Sequence, residues 1–147
     1  MHEVRTEIEI EATAERVWSI LLDFPSHPDW NPFLRSITGP AKVGERLAVS
    51  IQPQGGKGMS FRPMVLTVAP DSEFRWIGHF LFTGIFDGEH YFQIQQFAPG
   101  RVKFVHGERF SGVLVPFLKS SLESGTKAGF VAMNQALKAR AEIRKQS

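Results

Sequence analysis

The chain has 147 residues, 42% of them hydrophobic, which suits one domain that buries roughly 68–70% of the surface its unfolded form exposes. Its 17 basic and 15 acidic residues leave a net charge of +2, too balanced for the footprint of a nucleic-acid protein. The absence of cysteine removes disulfides, thiolate metal sites and cysteine nucleophiles together.

No run approaches the ~20 apolar residues of a membrane span, and the start Met1-His2-Glu3-Val4-Arg5 lacks the basic-then-apolar form of a signal peptide. The default expectation is a soluble, cytoplasmic protein. Thirteen Phe and three Trp stand against a single Tyr. Phe has no polar tip to present to water, so this bias points to an apolar interior or cavity.

From Val4 to Glu11, Val4, Thr6, Ile8 and Ile10 alternate with charged residues, the period of a strand with one wet face. Thr13 can cap a short helix running to about Leu22, with Val17, Leu21 and Trp18 inward. Pro25, Pro28 and Pro32 then stiffen a corner with room for at most one helical turn before Trp30. Phe33 to Thr38 reads as a second strand, ended by Gly39-Pro40, and Leu47, Val49 and Ile51 mark a third.

Gln52 to Gly58 is a flexible loop. Its glycines lack the spacing of a phosphate loop and no helix follows, so a mobile hairpin tip that could gate a cavity is expected. Met59 to Ala69 reads as one strand. Phe74, Trp76, Gly78, Phe80 and Phe82 alternate along the next, and Thr83-Gly84 turns the chain. In the last two strands Phe86, Gly88, His90, Phe92 and Ile94, then Val102, Phe104, His106, Glu108 and Phe110, share a side. Short turns make consecutive strands antiparallel, giving a sheet of about seven strands.

Leu114 to Arg144 reads as a long amphipathic helix. At about 100° per residue, one stripe collects Leu114, Leu118, Ser121, Leu122, Gly125, Ala128, Gly129, Ala132, Ala136, Ala139 and Ile143. Glu123, Lys127, Asn134, Lys138 and Glu142 fall on the opposite, water-facing arc, with Glu123 and Lys127 spaced for an ion pair. Lys138, Arg140, Arg144 and Lys145 make a solvated basic end that complements the helix dipole. On this reading the leucines roof a pocket and the small residues let the helix settle on the sheet, so Ala132→Leu should destabilise by about 1–3 kcal/mol. Phe130, Met133 and Leu137 lie on a flank of that stripe, which requires a strongly curled sheet or a second contact, such as another subunit in a homodimer. The fold class is therefore α+β, with helices on one face of an antiparallel sheet.

The order strand, short helices, proline-rich corner, antiparallel meander and long final helix resembles the START-like helix-grip superfamily, SRPBCC, which includes polyketide cyclase and dehydrase-like proteins. Ala14-Glu15-Arg16-Val17-Trp18, Trp30-Asn31-Pro32-Phe33, His106 to Gly112, and Gly129-Phe130 to Lys138 carry the likeness to bacterial members. The resemblance spans nearly the whole chain, residues 1–147, as a single START-like domain. It implies a curved sheet gripping the last helix with an apolar pocket between them, in a fold that hosts carriers, cyclases, hydrolases and co-chaperones.

Alternation places His90, His106 and Glu108 on the inner wall with Phe92 and Phe104. Buried there, each needs a hydrogen bond, at a cost of roughly 1–3 kcal/mol otherwise. A mutually satisfied network, a group orienting a ligand, and an acid–base pair are the three readings, and the same three residues are the candidate catalytic set. Trp30, Phe33, Trp76, Phe80, Phe86, Leu118 and Leu122 complete the expected pocket lining.

A metal centre of two histidines and a carboxylate is a weak alternative, since no His-Glu-x-x-His pattern occurs. No metal or cofactor is expected. His2, His27 and His79 read as terminal, loop and surface residues, and Ser26, His27 and Asp29 as turn residues rather than a hydrolytic triad.

The functional expectation is binding or transport of a hydrophobic small molecule such as a lipid, isoprenoid or polyketide-like compound. The alternatives are a cyclase, dehydratase or hydrolase acting on such a ligand, and a co-chaperone-like interaction module. The partner in the first two is a small molecule, with neither nucleic acid nor a membrane span involved.

Overall fold

A computed structural model describes residues 2–53, 57–80 and 84–143, with only the backbone described at Phe80 and Ser121. Strand β1 (His2–Ile10) leads through Thr13 into helix α1 (Ala14–Leu22). The Thr13 side chain accepts the Arg16 N–H at 3.2 Å, capping the first turn, and Val17 and Leu21 are buried beneath it.

The corner holds two successive turns rather than one, a 3₁₀ turn (Phe24–Ser26) and α2 (His27–Trp30). Each has its proline in the first turn, where the missing N–H has no helical partner to lose. His27 and Asn31, four apart, therefore share the inward face and are fully buried. His27 is a structural residue and not a loop one: its Nε2 donates to the Leu21 carbonyl at 2.7 Å and its Nδ1 accepts from Asn31 Nδ2 at 3.0 Å. Burial holds its pKa below the usual value, so it is neutral. Asn31 Oδ1 accepts the Phe33 and Leu34 amides, both at 2.9 Å, fixing where the chain enters the next strand.

Strands β2 (Leu34–Thr38), β3 (Ala48–Ile51) and β4 (Met59–Phe61) form one antiparallel ladder. A second ladder runs β1-β8-β7-β6-β5, built from β5 (Met64–Ala69), β6 (Glu73–Phe80), β7 (Phe86–Ala98) and β8 (Arg101–Ser111). The Met59–Ala69 stretch is thus two strands in two ladders. It breaks at Arg62-Pro63, because a proline has no N–H to give a continuing ladder. The ladders meet where Leu47 N donates to Pro63 O and Val65 N to Glu45 O, both at 2.9 Å. The result is a curved antiparallel sheet of eight described strands around the last helix.

That helix runs as α3 (Val115–Ser121), a π turn (Leu122–Thr126) and α4 (Lys127–Ala141), with helical backbone at both junctions. Its inward face is not the expected stripe. Gly129, Phe130, Met133, Asn134, Leu137 and Ala141 are buried, whereas Ala132 and Ala136 are half-buried and Ala139 and Ile143 exposed.

Two physical causes rotate the face. Burying a Phe, Met or Leu is worth about 1.5–3 kcal/mol, far more than an alanine methyl, so the bulky residues take the core. The π turn closes on i+5 instead of i+4, setting all that follows back by about one residue, ~100°. Leu118 before it and Leu122 at its first residue then share a face with Phe130, Met133 and Leu137 after it. The flank for which a second partner was one explanation is therefore the core of this chain. Gly129 remains where the expectation put it, close against the sheet side, since a Cβ there would lie 2.5 Å from the Phe33 ring.

Glu123, in the π turn, meets His2, its Oε1 lying 2.8 Å from His2 Nε2. At the far end Lys138 binds Glu142 at 2.6 Å and the Glu9 carbonyl at 2.9 Å. Arg144 and Lys145, residues 54–56 of the expected flexible loop, and residues 81–83, where a turn was expected to begin, lie outside the described residues.

Candidate functional site

Register in the sheet decides which polar groups meet. Val4, Glu108, His90 and Trp76 are cross-strand partners in one row, and Thr6, His106, Phe92 and Phe74 in the next. Glu108 therefore faces His90 directly and His106 reaches it on the diagonal. His90 Nε2 and His106 Nε2 are 2.8 Å apart. His106 Nδ1 lies 2.9 Å from Asn134 Oδ1, Asn134 Nδ2 donates to Thr6 Oγ1 at 2.8 Å, and the Thr6 hydroxyl donates to the His106 carbonyl at 2.8 Å. Glu108 Oε1 stands 3.3 Å from His90 Nδ1.

Proton positions follow by counting donors. Thr6 has one proton and gives it to the His106 carbonyl, so the Asn134 amide nitrogen must face Thr6 and its oxygen must face His106. Asn134 Oδ1 only accepts, hence His106 carries its proton on Nδ1 and offers a lone pair at Nε2. His90 must then donate from Nε2, which leaves its Nδ1 a bare acceptor beside Glu108.

Both imidazoles are neutral. Phe130 stacks on His106 with ring centres 4.0 Å apart, while Trp76 and Phe92 lie 5.0 and 4.7 Å from His90. Loss of water around the rings depresses the His90 pKa to about 3. It holds His106 well below its usual value, with the neighbouring His90 adding to the effect. The same burial raises Glu108 to about 8, so its carboxyl is protonated at neutral pH.

This chain of groups ends on an apolar cavity of about 180 Å³. Phe33, Phe61, Phe86 and Phe110 supply its aromatic walls, Ile51, Pro53, Met59, Leu122 and Thr126 its remaining sides, and His90 and Glu108 its polar end. The π turn carries Leu122 and Thr126 to the cavity. A larger, solvent-open groove of about 710 Å³ lies elsewhere, between Glu11, Arg16, Arg101 and Glu142. Its charges are already engaged: Arg16 donates to the carbonyls of Arg140, Ala141 and Ile143, and Arg101 pairs with Glu11. That groove fastens the end of α4.

Of the expected lining residues, the structure brings Phe33, Phe86, His90, Glu108 and Leu122 to the cavity. Trp76, Phe92, Phe104 and His106 sit behind the wall as fully buried packing, and Leu118 packs on the core without lining the cavity. Trp30 turns away, toward Arg16, Ile20 and Arg140, because the α2 turn points residues 27 and 31 inward instead. The Phe80 side chain lies outside the described residues.

Phe110 was legible from its alternation with His106 and Glu108. Asn134 and Thr6 were not recognised as members of the polar chain, although Thr6 lies on the inward side of β1. Ser26 binds Asp23 and His27 binds backbone, so no hydrolytic triad forms at the corner. Both ring nitrogens of His106 are occupied by hydrogen bonds, and no cluster of metal-ligating side chains occurs among the described residues. No helix among them is long and apolar enough to cross a membrane.

The architecture defines a START-like helix-grip domain with an apolar interior pocket. Residues 1–142 match the family of polyketide cyclase / dehydrase and lipid transport proteins, and the chain belongs to that family. Among solved structures it is similar to a START superfamily protein from Mycobacterium smegmatis, at 22% identity and TM-score 0.74 over 97% of this chain and 98% of that one. The Zhui aromatase/cyclase from Streptomyces sp. R1128 matches at 14% identity and TM-score 0.76, over 96% and 93% of the two chains. TTHA0849 from Thermus thermophilus matches at 16% and 0.74, over 95% and 97%. At these identities the likeness is one of fold. No curated protein matches the chain in sequence.

Proposed function

We propose that the protein binds a small hydrophobic molecule in the cavity between the sheet and the last helix. The observation that carries this reading is the apolar, phenylalanine-walled cavity of about 180 Å³ with two polar groups at one end. A dry cavity of ~150 Å³ takes up benzene, so the inner space suits one substituted ring, and a longer ligand extends past the lining residues that reach the surface, Pro53, Met59 and Phe86, which form its mouth on this reading. Burying about 150 Å² of ring surface at ~25 cal/mol/Å² supplies about 4 kcal/mol, a millimolar anchor. Tighter binding needs contacts at the polar end or the mouth. The family's association with lipid transport and polyketide chemistry supports the same ligand class.

Toluene followed by NMR tests this. The expected result is saturable shifts at Phe33, Phe86 and Leu122 that disappear in Thr126→Phe, which fills the cavity. Shifts that never saturate, or that persist in the filled variant, overturn the proposal.

One observation favours a second reading, acid–base turnover of the bound molecule. Glu108 is a carboxylic acid raised to about 8 at the polar end of the cavity, so a general acid is held protonated near neutral pH. A cyclase or dehydratase of this kind loses at least about tenfold in turnover on Glu108→Gln, and unchanged turnover excludes the role. An open apolar cavity counts against the co-chaperone-like alternative.

A further inference from the structure

Cavity shape says how large a ligand is, while the direction of the hydrogen-bond chain says which end of it goes in first. Thr6 and Asn134 lie behind the cavity wall, yet through His106 they dictate that His90 turns a lone pair, at Nδ1, toward the side carrying Glu108. Beside that lone pair stands a protonated carboxyl, a donor. Acceptor and donor are 3.3 Å apart, and a single oxygen can sit within hydrogen-bond reach of both.

We infer, resting on the ligand-binding reading above, that the cavity selects a neutral ligand whose leading group is a hydroxyl on a ring-sized apolar body, with Asn134 as the positioning residue that sets this preference. A hydroxyl satisfies both groups at once, giving its proton to His90 Nδ1 and accepting the Glu108 proton on its oxygen. An ether or ketone uses Glu108 alone and leaves the imidazole lone pair buried and unpaired. A carboxylate fares worse, since no Lys or Arg lies among the described residues lining the cavity to hold its charge. No proton is consumed: the exchange is a rearrangement of hydrogen bonds.

Asn134 acts at a distance and touches no ligand. Its oxygen can only accept, so it denies His106 the opposite tautomer, and that choice passes through one imidazole to the next. A leucine at this position would free His106 from that constraint.

The test compares 4-methylphenol with 1,4-dimethylbenzene, the same shape with a methyl in place of the hydroxyl, and with 4-methylanisole. In the wild-type protein the phenol is expected to bind at least about tenfold tighter than either. Equal or weaker binding of the phenol, with the hydrocarbon still saturating, overturns this inference and leaves the hydrophobic-binding reading standing. Absence of saturable binding by all three overturns both.

Asn134→Leu, if folded, should reduce the phenol's advantage to less than about threefold. Independently of any variant, ¹⁵N spectra of the histidine side chains should show His90 protonated at Nε2 and bare at Nδ1, and His106 the reverse. The opposite tautomers overturn the inference.

Discussion

His90 Nε2 and His106 Nε2 lie 2.8 Å apart inside an aromatic enclosure, so one imidazole donates to the other and neither carries charge. The contact fixes which nitrogen of His90 faces Glu108, and the burial that keeps both rings neutral also raises the Glu108 carboxyl.

Stability should depend on pH through these three buried groups in a direction the shifts fix. Glu108 is raised to about 8, so between the unfolded carboxylate range and pH 8 the folded state holds a proton the unfolded chain has released. Stability from Glu108 is present below pH ~4.5 and lost as pH rises toward 8, by up to about 1.4 kcal/mol per unit. His90 runs the other way: its pKa is depressed to about 3, so its contribution is present above pH ~6.5 and lost as pH falls. In denaturant titrations Glu108→Gln should therefore gain on the wild type progressively from about pH 5 to 8. A constant difference across that range contradicts the neutral acid.

The close approach of α4 to Phe33 predicts that Gly129→Ala destabilises by about 1–3 kcal/mol, since the added methyl meets the ring at 2.5 Å. Ala132→Leu, by contrast, faces an open, half-exposed flank beside Val131 and Gln135 and should stay within about 0.5 kcal/mol of wild type. Urea melts of the pair decide between this face of the helix and the one that the periodicity alone suggests.

That pair also shows where the sequence was legible and where it was not. Alternation placed His90, His106 and Glu108 on one wall because a strand's period of two survives twist and curvature. The meander around a long last helix could likewise be read. The helix face could not, for two reasons. A wheel that weights alanine like phenylalanine misjudges burial, and a π turn shifts the phase without a sequence mark as plain as proline. Asn134 fell on the wet arc for that reason, although it lies beside Phe130, Met133 and Leu137. The corner hid His27 and Asn31 because three prolines read as loop, when two of them open helical turns.

Asn31 carries two backbone amides and the His27 ring, so Asn31→Ala leaves three buried groups without partners and should cost about 2–4 kcal/mol. Because Phe33 hangs on that anchor and walls the cavity, ring-ligand affinity should fall along with stability. Thermal melts and an NMR titration of the same variant check both effects. A loss of stability with unchanged affinity would separate the corner from the cavity.

Cavity filling offers a check from the other side. Phe110→Ala should enlarge the pocket at its aromatic wall, destabilising the protein by about 3–5 kcal/mol, or less where the cavity already gives room. Occupancy by a ring ligand should recover part of that loss, visible as a larger ligand-induced rise in Tm than the wild type shows.

The most direct measurement is a ¹³C NMR titration of the Glu108 side-chain carboxyl. A midpoint near pH 8, with Glu108 protonated at about pH 6.5, is what a donor beside the bare His90 Nδ1 requires. A midpoint in the ordinary carboxylate range near 4.5 would mean that the cavity ends in a negative charge, contradicting the neutral donor–acceptor pair on which this account of the site rests.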